Sequence, residues 1–266
     1  MLVNIEKKQS QVCVNENIKK SIIVSSHERS GTHFLMNSVA INSNYTVNPY
    51  LNFDLMPLGD TVNFFSPQNV GNFINKISNI RHQNKEYGLS SLIKSHHPSY
   101  VFENLFDKPN INFLYIYRDP KDTLLSFWKF INHWDWHEGP KLNNPLNFIK
   151  AEPEGQMLRY QKKSYNSIFL RWAHHVLEWI EVSKRYQNIF VVNYNDLNSN
   201  YNSTIDKIFN FLELPINNLS KPPKNNYVNT KQIEISKDHY EEFLNFIIKN
   251  LSQFPELKKI LTLNDN

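Results

Sequence analysis

An apolar run followed by a basic, hydroxyl-rich turn lies near the start of the sequence, in the segment IIVSSHERSGTHF (22–34). Its first three residues are β-branched, which predicts a buried parallel strand. The following residues, 25–31, predict a loop, and Thr32 is suited to a helix start. A strand, a tight loop and a helix N-terminus aim free N–H groups and the positive end of the helix dipole at one point. The segment therefore predicts an anion-binding loop.

The side chains of this loop favour the same interpretation. Arg29 carries a permanent charge, Ser30 and Thr32 supply hydroxyl donors, and Gly31 lets the backbone approach an oxygen closely. An ordinary strand-to-helix turn without a ligand is the alternative, because short motifs often arise by chance. The loop is not a Walker A loop, because no Gly-x-x-x-x-Gly-Lys-Ser/Thr pattern occurs in the chain.

Composition limits the class of protein. The chain has 266 residues, 40% of them hydrophobic, which is enough for a sizeable core, and its net charge of +4 suits a small polyanion rather than a nucleic acid. Cys13 is the only cysteine, so no internal disulfide can form, as in a reducing compartment. We find no secretory signal and no run of about 20 apolar residues that could span a membrane. A cytoplasmic protein is expected.

Strand-like and helix-like segments alternate, which predicts a single α/β domain over 1–266 with a central, mostly parallel sheet flanked by helices. After the first strand, three more are predicted at 88–94, 111–117 and 189–194. Helices are predicted at 34–42, 119–133, 164–186, 201–213 and 236–250. We expect an N-terminal extension over 1–20, an irregular segment over 45–66, a lid loop over 134–160 and a cap loop over 217–232.

A second anion site is predicted where the third of these strands ends, in YRDPKDTLLSFWKF (117–130). Asp119 is suited to cap the helix and Pro120 to occupy its first position. Arg118 lies at the strand tip, where open α/β sheets bind ligands, and Ser126 follows two turns into the helix. Arginine with serine suits a dianionic phosphate. The alternative is that Arg118 pairs with Asp119 or Asp122 at the surface.

Two anion sites at the ends of neighbouring strands indicate a ligand with two separated phosphates, such as a nucleotide bisphosphate. The segments HERSGTHFL and YRDPKDTLLSFW resemble the nucleotide-binding segments of sulfotransferases that use 3′-phosphoadenosine 5′-phosphosulfate (PAPS). The segments IKSHHP (93–98), RWAHHVLEWIEVSKRYQNIFVVNYNDL (171–197) and TIDKIFNFLELP (204–215) are similar to further family segments, in the same order. The resemblance covers about 20–215 and implies a P-loop-like sulfotransferase fold.

The resemblance implies which residues bind the cofactor. Residues Arg29, Ser30, Gly31 and Thr32 would wrap the 5′-phosphosulfate, followed by His33 and Phe34. Arg118 and Ser126 would hold the 3′-phosphate, and Tyr194 would approach the adenine. The family usually has Lys at Arg29, a hydroxyl residue at His33 and Trp at Phe34. The basic segment that closes the family's site is not evident, and Lys221, Lys224 and Lys231 are candidates for its charge.

The resemblance also implies the catalytic residues. His96 matches the general base that takes the acceptor's proton during in-line attack on sulfur, with adenosine 3′,5′-bisphosphate (PAP) as product. Lys94 and Arg29 would neutralise charge on the transferred group and the leaving phosphate. His97 is adjacent and chemically equal, so it remains an alternative base. No metal is implied, although His133, His137 and Glu138, or His174 and His175, invite that interpretation.

The acceptor is less defined. Phe64, Phe65, Trp128, Trp134 and Trp136 are candidates to line a pocket for a small molecule. Acidic residues in the predicted lid favour a cationic acceptor, unless those acids are simply solvated. We expect a monomer or a homodimer with no nucleic acid partner and no membrane partner. A P-loop-like kinase and a catalytically inactive nucleotide-binding protein are the alternative functions.

Overall fold

The computed structural model of the protein describes residues 20–52, 90–133, 137–161, 163–223 and 233–261. The strands in these ranges are β1 (Ser21–Ser25), β2 (Tyr45–Asn52), β3 (Ser90–Ser95), β4 (Ile111–Tyr117) and β5 (Ile189–Asn193). They form one sheet in the order β2-β3-β1-β4-β5, and every pairing is parallel. The predicted α/β fold with a parallel sheet is confirmed.

Helices flank this sheet and connect its strands. They are α1 (Thr32–Ile41), α2 (Pro120–His133), α3 (Pro145–Lys150), α4 (Ile168–Ser183), α5 (Tyr194–Ser199), α6 (Tyr201–Leu212), α7 (Lys237–Leu251) and α8 (Pro255–Ile260). Two 3₁₀ helices cover Ser99–Leu105 and Gly155–Tyr160. All five predicted helices are therefore present, with ends that differ by a few residues.

Alternation along β1 explains why helices pack on both faces of the sheet. Successive side chains of a strand point to opposite faces. Ile22 and Val24 join a hydrophobic cluster with residues of α1 and α6, whereas Ile23 joins a second cluster with residues of α2, α4 and α7. All three side chains are fully buried. The apolar run that opens the domain is thus the central strand of a sheet covered on both sides.

The position of β1 also determines where a ligand can bind. The chain passes from β1 to β2 at one edge, returns to β3 beside β1, and then crosses to β4 on the other side. Ser25, the last residue of β1, pairs with Ser95 of β3 and Tyr115 of β4, so the three carboxyl ends lie together. A reversal of strand order of this kind leaves a crevice outside the carboxyl ends, where open α/β sheets bind ligands.

Two sequence predictions need correction. Residues 45–52 form β2 rather than an irregular segment, and the register of β2 against β3 shifts between Thr46 and Leu51. Pro49 breaks the apolar pattern, but an edge strand tolerates a proline because it needs ladder hydrogen bonds on only one side. Helix α5 begins at Tyr194, where the sequence predicted continuation of the last strand. Residues 53–66 lie outside the described residues.

The predicted lid, 134–160, is helical over much of its described part. Asn144 caps α3 by accepting a hydrogen bond from the Leu146 amide at 2.7 Å. Phe148, Ile149 and Met157 are fully buried in the main core. This part of the segment is therefore packed into the domain rather than forming a long loop, and whether it moves as a lid stays a prediction.

Candidate functional site

The loop between β1 and α1 is compact and ends at a helix N-terminus. The Ser30 amide donates to the His27 carbonyl at 3.3 Å, and the hydroxyls of Ser26 and Thr32 lie 2.5 Å apart. Arg29 has a φ of 66°, in the left-handed region that residues with a side chain rarely adopt. The Ser30 hydroxyl is buried and has no hydrogen-bond partner among the described residues. A buried donor left open in this way is suited to a ligand oxygen.

Gly31 has a further role that the sequence did not indicate. Its φ is 98°, and a Cβ at this position would lie 2.4 Å from Cδ2 of Tyr194. The absence of a side chain thus lets the Tyr194 ring pack directly on the loop. The ring centroids of Phe34 and Tyr194 are 6.0 Å apart, and the Arg118 guanidinium lies 4.5 Å from the Tyr194 centroid. Four predicted cofactor-binding residues are therefore contiguous.

Arg29 connects the two predicted anion sites. Its Nε donates to the Ser126 hydroxyl of α2 at 3.1 Å, and its guanidinium lies 5.1 Å from the centroid of the Phe130 ring. Burial, followed by the nearby charge of Arg118, lowers the pKa of Arg29. The guanidinium groups of Arg29 and Arg118 and the Ser126 hydroxyl thus meet near the ends of β1 and β4, and an anion between the two cations would relieve their repulsion.

Arg118 also has the surface partner that the alternative interpretation predicted. Its Nη2 lies 3.0 Å from Oδ2 of Asp122, one turn into α2. Asp119 caps this helix by accepting from the Lys121 amide at 2.8 Å, as expected. The Asp122 carboxylate is 40% exposed, so the pair contributes little to stability. The buried Arg118 Nε has no hydrogen-bond partner in the described chain, so the guanidinium retains capacity for a ligand.

His96 follows the last residue of β3 and faces the loop. Its Nδ1 lies 3.0 Å from the Ser26 carbonyl oxygen. Because a carbonyl oxygen only accepts, Nδ1 carries the proton and Nε2 keeps its lone pair. Burial, followed by the charge of Lys94, lowers the pKa of His96 well below its usual value. The ring is therefore neutral at pH 7, in the tautomer that a base acting through Nε2 requires.

His33 shares this environment. Burial, followed by the charges of Lys94 and Arg29, lowers the pKa of His33 to about 4. Lys94 itself is only 6% exposed. The structure thus brings Lys94, Arg29, His33 and His96 together at the carboxyl edge of the sheet.

His97 is packed in the interior rather than facing the loop. The residue is 1% exposed, and its ring lies 5.2 Å from the Tyr160 centroid and 6.5 Å from that of Phe102. Its carbonyl oxygen accepts hydrogen bonds from the Ser25 hydroxyl and the Trp179 indole, each at 3.2 Å. Of the two adjacent histidines, only His96 is partly exposed. This geometry favours His96 as the base.

The prediction that Trp128 lines an acceptor pocket is corrected. Trp128 is 1% exposed, lies in the hydrophobic core and donates from Nε1 to the Leu142 carbonyl at 2.6 Å. A fully packed indole of this kind stabilises the domain and offers no surface to a substrate. Phe64, Phe65, Trp134 and Trp136 lie outside the described residues, so the acceptor pocket stays a prediction.

The predicted cap is described only in part. Ser220 exchanges two hydrogen bonds with the Asn42 side chain, at 2.7 and 2.8 Å, which ties the segment to the end of α1. The Lys221 ammonium donates to the Asn198 carbonyl at 2.6 Å and lies 5.9 Å from the Phe34 ring centroid. Lys221 is therefore close to the predicted nucleotide site, whereas Lys224 and Lys231 lie outside the described residues.

Sequence reasoning missed a buried polar cluster behind the loop. It consists of His27 and Glu28 from the loop, Tyr115 from β4, and Arg171 and His175 from α4. The sequence contained no signal for this cluster, because the burial of Glu28 and Arg171 is a result of tertiary packing. Of the two adjacent histidines on α4, His174 is exposed and His175 is buried. Within the described ranges, no group of three or more potential ligands could hold a metal ion.

The fold and site define an α/β protein with a cationic crevice at the strand ends and a neutral histidine beside it. Residues 19–255 match the family model described as "Sulfotransferase domain". The chain belongs to the sulfotransferase family, and the resemblance noted from the sequence is confirmed. No helix of the described residues is long and apolar enough to cross a membrane.

Individual relatives agree with this assignment. The chain is 29% identical to an amine sulfotransferase of Oryctolagus cuniculus over 164 residues, which is 56% of this chain and 50% of that protein. It is 29% identical to sulfotransferase 2A1 of Mus musculus over 121 residues, covering 46% of this chain and 38% of that protein. The matches thus span half the length of these relatives or less.

A solved structure supports the fold. A sulfotransferase from Alicyclobacillus acidocaldarius superposes with a TM-score of 0.54, at 15% identity, over 90% of this chain and 95% of that one. At this identity the likeness concerns the fold only. The predicted sulfotransferase fold is therefore confirmed.

Proposed function

We propose that this sulfotransferase moves the sulfuryl group from PAPS to a hydroxyl or amine of a small-molecule acceptor, with His96 as the general base. The observation that carries the proposal is the 3.0 Å contact between His96 Nδ1 and the Ser26 carbonyl. It holds the base by the backbone of the same loop that binds the anion, so the base and the bound donor share one frame. Positioning of this kind supplies a large part of a transfer reaction's acceleration.

Proton transfer, charge stabilisation and phosphate binding in the proposed reaction can each be assigned to particular residues. The acceptor oxygen or nitrogen attacks sulfur in line and its proton passes to His96 Nε2, while the bond from sulfur to the 5′-phosphate oxygen breaks and PAP leaves. Lys94 and the amides at the start of α1 offset the charge that develops on the transferred group. Arg29, Arg118 and Ser126 bind the phosphates, and Phe34 and Tyr194 offer faces for the adenine.

Features of the crevice support a nucleotide bisphosphate in particular. The Ser30 hydroxyl and the Arg118 Nε are buried donors without partners among the described residues. Arg29 and Arg118 are close enough for the charge of one to lower the pKa of the other. These donors and charges fit an anion with more than one negative charge.

Because relatives include proteins named cytosolic sulfotransferases, we also propose that this protein acts in the cytoplasm.

Two measurements test the proposal. Isothermal titration calorimetry should show that PAP binds without Mg²⁺ and more tightly than ATP, whereas the reverse preference would favour a kinase. Labelled PAPS should then transfer its label to members of an acceptor panel of phenols, alcohols, amines and guanidines. The amine members matter because one relative is named an amine sulfotransferase. Binding of PAP without transfer to any member would favour a catalytically inactive nucleotide-binding protein.

A further inference from the structure

A buried ion pair lies directly beneath the anion-binding loop. The Glu28 carboxylate accepts two hydrogen bonds from the Arg171 guanidinium of α4, at 2.7 and 3.1 Å. The two side chains are 7% and 3% exposed. Although burial opposes ionisation, the charge of Arg171 and its hydrogen bonds hold the pKa of Glu28 well below its usual range. The pair is therefore ionised, and it joins the loop to a helix that begins about 140 residues later in the chain.

His27 completes the attachment. Its Nε2 lies 2.8 Å from Nη1 of Arg171, and its Nδ1 lies 3.0 Å from the Glu28 carbonyl. Arginine only donates and a carbonyl only accepts, so His27 is neutral with its proton on Nδ1. Burial as the main cause lowers the pKa of His27 to about 4, in agreement with this tautomer. Arg171 thus binds two consecutive loop residues at once.

The backbone of the next residue is where this attachment has its effect. Glu28 points inward to α4, whereas Arg29 points to Ser126 on α2. The left-handed φ of 66° at Arg29 accompanies that reversal of direction. Such a conformation is unfavourable for a residue with a side chain and persists only where the surroundings hold it. The side chain of Glu28, one residue earlier, is fixed by Arg171 and is suited to hold it.

The same face of α4 supports the base. His175 lies one turn after Arg171 and donates from Nε2 to the His96 carbonyl at 3.1 Å, while its Nδ1 lies 2.9 Å from the Tyr115 hydroxyl. Trp179, a further turn along, donates to the His97 carbonyl. One helix face therefore contacts both the segment that carries Arg29 and the segment that carries His96.

We propose that Glu28 and Arg171 are positioning residues that hold the Arg29 backbone in its left-handed conformation, so that the Arg29 guanidinium faces the bound phosphates. The inference rests on the proposed function, because it assigns the loop to PAP and PAPS. Neither Glu28 nor Arg171 contacts the ligand in this proposal. Their loss should act on the affinity for the nucleotide through Arg29.

The test removes both charges together. In Glu28→Gln with Arg171→Met, no buried charge is left unpaired, so the loss of stability is smaller than when one partner of the pair is removed alone. We expect a folded protein whose Kd for PAP, measured by calorimetry, rises at least 10-fold. In steady-state kinetics, KM for PAPS should rise more than kcat falls, because His96 remains held by His175. A general loss of stability would not raise KM for PAPS more than it lowers kcat.

The matched control is a second bidentate arginine–glutamate pair. Arg159 and Glu138 are joined at 2.7 and 3.2 Å, their side chains are 20% and 8% exposed, and the pair connects two parts of the segment 137–161. Glu138→Gln with Arg159→Met should cost similar stability and leave the Kd for PAP within twofold. A rise equal to that of the loop variant would overturn the proposal, because it would reflect destabilisation alone.

A milder variant covers the case in which the double variant does not fold. Arg171→Lys keeps the charge but cannot donate in parallel to Glu28 while also reaching His27. The Kd for PAP should rise about threefold, and an unchanged Kd in a folded Arg171→Lys protein would overturn the proposal. If the unaltered protein does not bind PAP, the proposed function itself fails. That outcome is distinct from failure of the positioning proposal, in which the unaltered protein binds PAP and the variants bind it equally well.

Discussion

The Nε of Arg29 donates to the hydroxyl of Ser126 at 3.1 Å, which joins the loop after β1 to α2, the helix that begins beside Arg118. The sequence assigned these two residues to opposite ends of the nucleotide. In the structure their side chains are directly joined. A change at either residue should therefore affect the binding of the whole nucleotide.

Replacement of Ser126 by alanine should weaken the binding of PAP. The hydroxyl accepts from Arg29 and is a candidate donor to a phosphate, and a hydrogen bond to a charged group contributes about 1.5–3 kcal/mol. We therefore expect the Kd from calorimetry to rise about 10-fold or more, with little change in melting temperature. Ser183→Ala is the control, because that hydroxyl donates to the Ile180 carbonyl within the last turn of α4. Equal affinities of the two variants would contradict the prediction.

The two histidines should respond differently to alanine. His96→Ala removes the proposed base, so kcat should fall by about 10²–10⁴-fold while PAP still binds. His97→Ala leaves a cavity between Phe102 and Tyr160, so it should lower the free energy of unfolding by about 1–3 kcal/mol. Steady-state kinetics and chemical denaturation separate these effects. Unchanged turnover in a folded His96→Ala protein would remove His96 as the base and favour His97.

Two glycines offer a matched comparison of strain and function. Gly31 and Gly155 have φ of 98° and 66°, and a Cβ on either would lie under 3 Å from a neighbour. Gly31→Ala and Gly155→Ala should each lower the melting temperature, since the left-handed region alone costs about 1 kcal/mol. Only Gly31→Ala should weaken the binding of PAP, because it displaces the Tyr194 ring. Loss of affinity in both variants would show that the ring has no separate role.

Stability should fall in mild acid. Burial lowers the pKa of His27 and His33 to about 4, whereas an unfolded histidine titrates near 6.5. Between these values the unfolded chain binds more protons, so the free energy of unfolding decreases as pH falls from about 6.5 to about 4. Each such histidine contributes at most about 1.4 kcal/mol per pH unit.

A substitution of His27 should show how much of the pH dependence of the free energy of unfolding comes from this residue. His27→Gln keeps a donor and an acceptor but cannot titrate, so the urea-derived free energy of unfolding should depend less on pH between about 4 and 6.5. His239→Gln, on an exposed position of α7, should keep the original slope. A His27→Gln slope equal to that of the unaltered protein would contradict the assignment.

Local patterns in the sequence predicted elements well where one physical cause dominated. The strand Ile111–Tyr117 was predicted with its observed ends, because an uninterrupted apolar run is typical of a strand buried on both faces. The edge strand β2 was missed, because Pro49 and the neighbouring asparagines are typical of a loop. Edge position is a property of the sheet, and no local pattern reports it.

In the candidate site, too, features set by local sequence were predicted and features set by tertiary packing were missed. Arg118 and Ser126 belong to one strand-to-helix junction, so the local sequence was sufficient to predict their positions in the fold, and their role in binding stays a prediction. The contact between Glu28 and Arg171 joins residues 143 positions apart. Glutamate in a loop and arginine in an amphipathic helix each suggest a solvated residue, so only the tertiary packing reveals that the two are buried together.

The central place of β1 has a consequence for how the chain acquires its site. Ile22 pairs with Leu92 and Ser21 with Ile111. The hydrogen bonds of the first strand are therefore complete only when segments much later in the chain have formed their strands. Contacts between such distant residues make folding slow. During synthesis on the ribosome, Glu28 in the loop after β1 can pair with Arg171 only after α4 has emerged, and a chain truncated before that helix would retain the whole loop sequence without this ion pair.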